Sequence, residues 1–364
     1  MEGDFNLKVQ LNSIFWDLGY YTRLELKLAG YSPQKSAPYE LTDLDVLGIR
    51  VNPDLTFDYL LGDCTSSKRV TRSPIQRVFW LRGVMHFFGA NKGYLCLSTK
   101  SPLPEVQRIS ASDLGVTILN FQNLQNLGKR TSRHSPDLLI SSPDSWQYYE
   151  GNLTTLPAGM DHVLEFRKYK YWLTPPHDRI HALISLLSTH KAHFKNPTKF
   201  LAALSLDLLS LLSLSVLQMS SYALRVNPET PEPTLRSYLF GGYSEMKRRE
   251  GIVDNIKKLV DTMTPQQELF PSKEGLKSLQ LDPDYLPRLF DTAFRLLNKP
   301  FDAAQIPRYI ECTLFEKTLY AGKNDKGLKF IDGAFSDITR KLSRDLAKLL
   351  SDAAGVPPAM FADL

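Results

Sequence analysis

The stretch that decides the fold of the N-terminal half runs from Glu40 to Thr99. It reads ELTDLDVLGIRV (40–51), LTFDYLLGDCTSSKR (55–69), an apolar run opened by Pro74, and GYLCLST (93–99). Leu44, Val46, Leu47, Ile49 and Val51 form one strand candidate; Leu55, Phe57, Tyr59, Leu60 and Leu61 form the next. The turn between them, Asn52–Asp54, contains Pro53, and so short a connection predicts an antiparallel hairpin. Alternation along a strand puts Asp43 with Asp45, and Asp63 with Thr65, on common faces.

Working outward, the pattern predicts a helix over 74–90, a buried strand over 93–98, a helix over 104–114 and a strand over 116–119. Upstream, FWDLGYYTRLELKLAG (15–30) reads as an amphipathic helix closed by Gly30, and 31–39 as a connection with two prolines. Together these describe an α/β domain built on a mixed sheet flanked by helices. From 122 to 173 no element stands out, and the doublet Pro175–Pro176 closes that zone. The expected domains are therefore 1–175 and 176–364.

The second domain reads as all-α: a non-repetitive bundle with helices over 178–193, 199–226, 244–263, 284–297, 303–320 and 332–353. In the 244–263 helix, Ile252, Val253, Ile256, Leu259 and Val260 mark a face for burial. The run 200–222 is apolar enough to raise a membrane question. Asp207 near its middle would cost roughly 2.5–3.5 kcal/mol at a bilayer centre. Asp207, Ser210, Gln218, Ser221 and Arg225 also fall on one stripe, so a buried helix with one wet edge is expected rather than a span.

Of 364 residues, 43% are hydrophobic and 23% charged, as in soluble globular chains, and the net charge of +5 permits a nucleic-acid partner without requiring one. Three cysteines, Cys64, Cys96 and Cys312, are scattered without a CxxC pair. The N-terminal residues MEGDFNLKVQ show no export pattern, and a reducing cytoplasm is the expected compartment. GxGxxG, Walker and GxSxG patterns are absent, which removes support for nucleotide hydrolysis and serine-esterase chemistry.

Chemistry concentrates on Asp45 and Asp63. Two carboxylates on neighbouring strands, followed by Lys68, Arg69, Arg72 and Arg77, suit a divalent cation facing a phosphodiester. Plainer roles for the same acids are strand-edge solvation for Asp43 and Asp45, and capping of the following turn for Asp63.

On these residues the stretch resembles the PD-(D/E)XK nuclease superfamily, with its restriction-endonuclease-like fold, over roughly 15–119. The resemblance implies a Mg²⁺- or Mn²⁺-dependent nuclease acting on DNA, less often RNA. It implies that Asp45 is the strand acid, Asp63 the acid of the triplet, Glu25 the acid of the first helix, and Gln76 a residue near the scissile strand. The triplet here is Asp63–Cys64–Thr65, with Thr where the family has Lys, and a hydroxyl supplies no positive charge. Either Lys68 substitutes, with Arg69, Arg72 and Arg77 on the nucleic acid, or the domain binds without cutting. In the second case it would be a scaffold or binding subunit, as in a defence or mobile-element system. A helical interaction protein without a nucleic-acid ligand is the third reading. The helical domain would select substrate, form a homo-oligomer or dock a partner subunit.

Weaker signals remain. His177 and His181 share zinc-like spacing without a following Glu. Arg167, Lys168 and Lys170 alternate with Tyr169, Tyr171 and Trp172, as on a nucleic-acid surface or a half-buried strand. Lys247, Arg248 and Arg249, with Lys257 and Lys258, read as a solvated helix face.

Overall fold

In the computed structural model, which describes residues 2–30, 39–65, 73–132, 138–262 and 281–364, helix α1 (Glu2–Asp17) ends just before Gly19. The φ of +93° at Gly19 suits a residue without a side chain, and strand β1 (Tyr21–Gly30) follows. The single helix expected over 15–30 is thus two elements. Leu24, Leu26 and Leu28 alternate with charged neighbours, and this period of two overrides the looser 3–4 spacing. The 31–38 connection lies outside the described residues.

Strands β2 (Tyr39–Val51), β3 (Phe57–Thr65), β4 (Lys92–Leu97) and β5 (Val116–Asn120) complete a five-stranded sheet in the order β1-β2-β3-β4-β5. The β2–β3 hairpin is antiparallel as expected, from Val51↔Phe57 to Val46↔Gly62. β1 also runs antiparallel to β2, whereas β3, β4 and β5 are mutually parallel. Parallel neighbours need crossovers, and α2 (Pro74–Phe88) and α3 (Glu105–Asp113) provide them. The mixed sheet with flanking helices is the architecture read from the sequence.

Helix α1 covers one sheet face together with α4 (Phe121–Thr131). Leu7, Leu11, Ile14 and Phe15 pack there with Val46, Leu60, Cys64 and Cys96. Gly62 permits the approach, because a Cβ at that position would stand 2.3 Å from Leu11. On the other face Val78, Leu81 and Met85 of α2 share a core with Leu61 and Leu95. All three cysteines are free and buried.

The zone over 122–173 is helical too, holding α4, α5 (Pro143–Leu153) and the short helices α6 (Asp161–Glu165) and α7 (Tyr171–Leu173), joined by a π turn at Phe166–Lys170. Beyond Pro175–Pro176 come α8 (Arg179–His190), α9 (Lys199–Val226), α10 (Pro231–Leu239) and α11 (Tyr243–Thr262). Further helices span Leu286–Leu297, Pro300–Ala303, Ile306–Thr313, Asp325–Ala334 and Asp337–Ala354. The helix expected over 303–320 is broken by a second π turn at Leu314–Thr318. The one expected over 332–353 restarts at Ser336, which caps the new helix by accepting from the Thr339 N–H.

Helix α9 is long and apolar enough to cross a membrane, yet most of it is buried among α8, α10 and the later helices. Its polar stripe is buried at Asp207, Ser210 and Ser221, half-buried at Gln218 and wet only at Arg225. Asp207 is 4% exposed and pairs with Arg23 of β1 and Arg167 of the π turn; Arg167 also pairs with Glu150 of α5. The Tyr149 hydroxyl donates to Asp207 at 3.0 Å, and Gln218 donates to the Tyr59 hydroxyl at 3.1 Å. The stripe is a seam joining bundle to sheet, and the hydrophobic core is continuous across it.

Glu311 makes a second tie. It accepts from Trp16 Nε1 at 3.1 Å, from the Thr22 N–H at 3.3 Å and from the Thr22 hydroxyl at 3.1 Å. Burial pushes its carboxyl up to about 8, with Arg23 opposing.

Two surface expectations change. Arg167, Tyr171 and Trp172 are buried, while Lys168 and Lys170 pair with Glu150 and Glu165, so the 167–172 cluster is interior helix rather than an open binding face. On α11, Ile252 and Leu259 are 45% and 63% exposed while Val253 and Ile256 are half-buried, so the face marked for burial is not fully buried. Lys247, Arg248 and Arg249 pair with Glu245 and Glu250 along the same helix.

Candidate active site

Pairing between β2 and β3 stops at Val46↔Gly62. Beyond it β2 continues along β1 and β3 along β4, so the two strands part at Asp45 and Asp63, the next residues in register. A polar cavity of about 380 Å³ opens there, lined by Lys8 of α1, Asp43, Asp45, Asp63, Thr65 and Arg77 of α2, with Trp80 beside them. Directly opposed residues on antiparallel strands project to the same side. The hairpin register therefore brings both acids to one place.

Each acid meets a cation. Asp45 takes Lys8 Nζ on Oδ1 at 2.8 Å and the Cys64 N–H on Oδ2 at 2.6 Å. Burial pushes the Asp45 carboxyl up to about 7, Lys8 pulls it back and the negative charge of Asp63 adds to the rise. Asp63 holds Arg77 bidentately, Nε to Oδ2 at 2.8 Å and Nη2 to Oδ1 at 2.5 Å. Burial works against the Arg77 charge, but Asp63, Asp45 and Asp43 outweigh it. Lys8 behaves alike: burial disfavours its ammonium, and Asp45 and Glu25 hold it charged.

Glu25 is not on the first helix but in β1, where it accepts from Lys8 Nζ at 2.9 Å from outside the cavity lining. Its φ is +53°, unusual for a residue with a side chain. The strand changes phase there: Tyr21 before it and Leu26 and Leu28 after it all enter the same core. Such a conformation costs about 1–3 kcal/mol, more than the half-exposed Glu25–Lys8 pair returns at about 0–1 kcal/mol. Burial of Leu26 and Leu28, about 1.5–3 kcal/mol each, is what sustains the kink.

Gln76 lies outside the cavity. Its Oε1 accepts the Ser73 N–H at 3.2 Å, which makes it the capping-box partner of Ser73, the N-cap of α2. Arg77, expected on nucleic acid, sits inside the site on Asp63. Lys68, Arg69 and Arg72 lie outside the described residues. His181 contacts the Tyr285 hydroxyl at 3.1 Å, and His177 lies 3.4 Å from Asp178. Among the described residues no group of three or more His, Cys, Asp or Glu is arranged to hold a metal. Lys8 was not singled out in the sequence. The spacing of Leu7, Leu11, Ile14 and Phe15 could have revealed α1, with Lys8 one step off its buried face.

The donor set suits Mg²⁺ in kind. That ion takes one or two carboxylates and fills its remaining positions with water and phosphate. Asp45 and Asp63 meet that requirement once Arg77 and Lys8 exchange partners. Scanned against protein-family models, curated proteins and solved structures, the chain matches none of them.

Proposed function

We propose that the N-terminal domain expected over 1–175 is restriction-endonuclease-like and that the protein is a metal-dependent nuclease acting on DNA, with RNA as the other substrate class. The observation that carries this reading is the convergence of Asp45 and Asp63 on one polar cavity where two strands part. The order α1-β1-β2-β3-α2-β4 around that cavity agrees with it. Asp45 and Asp63 would hold Mg²⁺ or Mn²⁺, which would supply a Lewis acid for the phosphate and a more acidic water.

The chain's own residues frame the reaction. Arg77 is a planar double donor suited to phosphate oxygens, so an incoming phosphodiester can replace Asp63 as its partner. The Thr65 hydroxyl lines the cavity and can hold a water. The Cys64 N–H fixes the free rotation of Asp45. The helical region would select substrate or dock a second subunit.

One observation favours a binding-only domain instead: Arg77 occupies both oxygens of Asp63. The deciding experiment is cleavage of labelled single- and double-stranded DNA and RNA in Mg²⁺ or Mn²⁺, beside Asp63→Ala. Metal-dependent cutting lost in Asp63→Ala supports the nuclease. Salt-sensitive binding without cutting supports the binding-only domain.

A further inference from the structure

We infer that Lys8 is the catalytic cation of this site, placed on α1 instead of at position 65. The inference rests on the nuclease reading and adds the residue that reading lacks. Thr65 lines the cavity but carries no charge, and of the described cations only Lys8 and Arg77 line the cavity with it. Arg77 has a rigid, two-point engagement with Asp63. Lys8 is a compact ammonium with three donors. Two go to Asp45 at 2.8 Å and Glu25 at 2.9 Å, and its third has no partner among the described residues.

The geometry also explains how Lys8 stays in place when a ligand arrives. Its side chain is 12% exposed, and its helix is pressed onto Gly62, the residue before Asp63. Glu25, turned by the kink in β1, anchors the ammonium from the side away from the cavity. If Asp45 turns toward a metal, Lys8 keeps Glu25 and faces the phosphate with its other hydrogens. Charge accumulating on the phosphate during attack then has a fixed cation beside it. Removing one such donor from a preorganised site typically lowers the rate about 10²–10³-fold.

The test compares wild type, Lys8→Met, Lys8→Arg, Lys8→Cys and Asp63→Ala in single-turnover DNA cleavage with Mg²⁺, and in calorimetric Mn²⁺ binding without DNA. Thermal melting checks that each is folded. Lys8→Met is expected to cut about 100-fold more slowly while binding Mn²⁺ at least as tightly as wild type, because a competing cation has left Asp45. Lys8→Arg keeps the charge and is expected to cut within about tenfold of wild type. It decides the matter if the neutral variant does not fold. Lys8→Cys treated with bromoethylamine, which rebuilds an ammonium there, should regain activity, the three native cysteines being buried. Wild-type rates in Lys8→Met, or Lys8→Arg as slow as a neutral variant, would overturn the assignment while Asp63→Ala still upholds the nuclease. Loss of Mn²⁺ binding in Lys8→Met equal to that in Asp63→Ala would reduce Lys8 to a support for Asp45. A wild type that never cuts would overturn both the reading and this inference.

Discussion

Two clusters of paired charge lie inside this molecule, and they differ in what surrounds them. Arg23, Asp207, Arg167 and Glu150 are closed in by α9, α5 and β1, and the Tyr149 hydroxyl occupies another position on Asp207. Lys8 pairs with Asp45 and Arg77 with Asp63, two acid–base pairs against the three of the first cluster, but these line a cavity of about 380 Å³. Where a cluster is enclosed, solvent cannot take the place of a lost member, and the charge left behind is only partly compensated. A pair on a cavity wall can exchange its partner for water, an ion or a phosphate. Enclosure makes the first cluster architecture; access makes the second a candidate for chemistry.

The largest expected effect separates the two. Arg167→Met removes the shared partner of Asp207 and Glu150 and should lower unfolding free energy by about 3–5 kcal/mol. Arg77→Met leaves Asp63 facing a cavity that water can enter, and should cost about 1 kcal/mol. It should also tighten Mn²⁺ binding. Urea titrations of both variants check the ratio, and equal losses would erase the distinction between the clusters.

Next comes the pH dependence set by Glu311, which sits close to the enclosed cluster. Its folded pKa of about 8 lies above the ordinary 4.5, so the folded state binds more protons between those values. Its favourable contribution is complete below about 4.5 and is lost as pH rises toward 8, by on the order of a few kcal/mol. Glu311→Gln should flatten that slope, as read from urea midpoints at about pH 5 and about pH 8.5. An unchanged slope would mean another group sets it.

The smallest effect is expected on α11. Glu245 pairs with Arg248 and Arg249 on an open helix surface, where salt and solvent screen the charges. Glu245→Ala should leave the melting midpoint unchanged within error. A clear drop would mean that exposure is not what separates strong pairs from weak ones here.

How much of this was legible in the sequence depends on the element. The hairpin, the crossover helix α2, the buried strand β4 and the long helix α9 all announced themselves through uninterrupted periodicity between clear turn signals. Alternation put Asp43 with Asp45 and Asp63 with Thr65; that Asp45 meets Asp63 depends on the hairpin register, which ends at Val46↔Gly62. The boundary between α1 and β1 did not, because Leu24–Leu28 satisfies both periods and Gly19 falls inside a run that reads as one helix. Glu25 lost its helical place for the same reason, and a positive φ on a non-glycine residue leaves no trace in composition.

The partners of the two acids were hidden too. Lys8 lies 37 positions before Asp45 in the chain, and only the packing of α1 against Gly62 brings it there. Along α11, Ile252 and Leu259 carry the spacing of a buried face and are 45% and 63% exposed. Pattern specifies which side of an element is apolar; it does not specify whether another element is present to cover it.

The most direct test of the shared cavity is a crystal soaked in Mg²⁺. The expected result is one ion within roughly 2.0–2.1 Å of oxygens from both Asp45 and Asp63, with the Arg77 guanidinium moved off Asp63. Arg77 still clamped on Asp63, with no ion between the two carboxylates at saturating Mg²⁺, would contradict it.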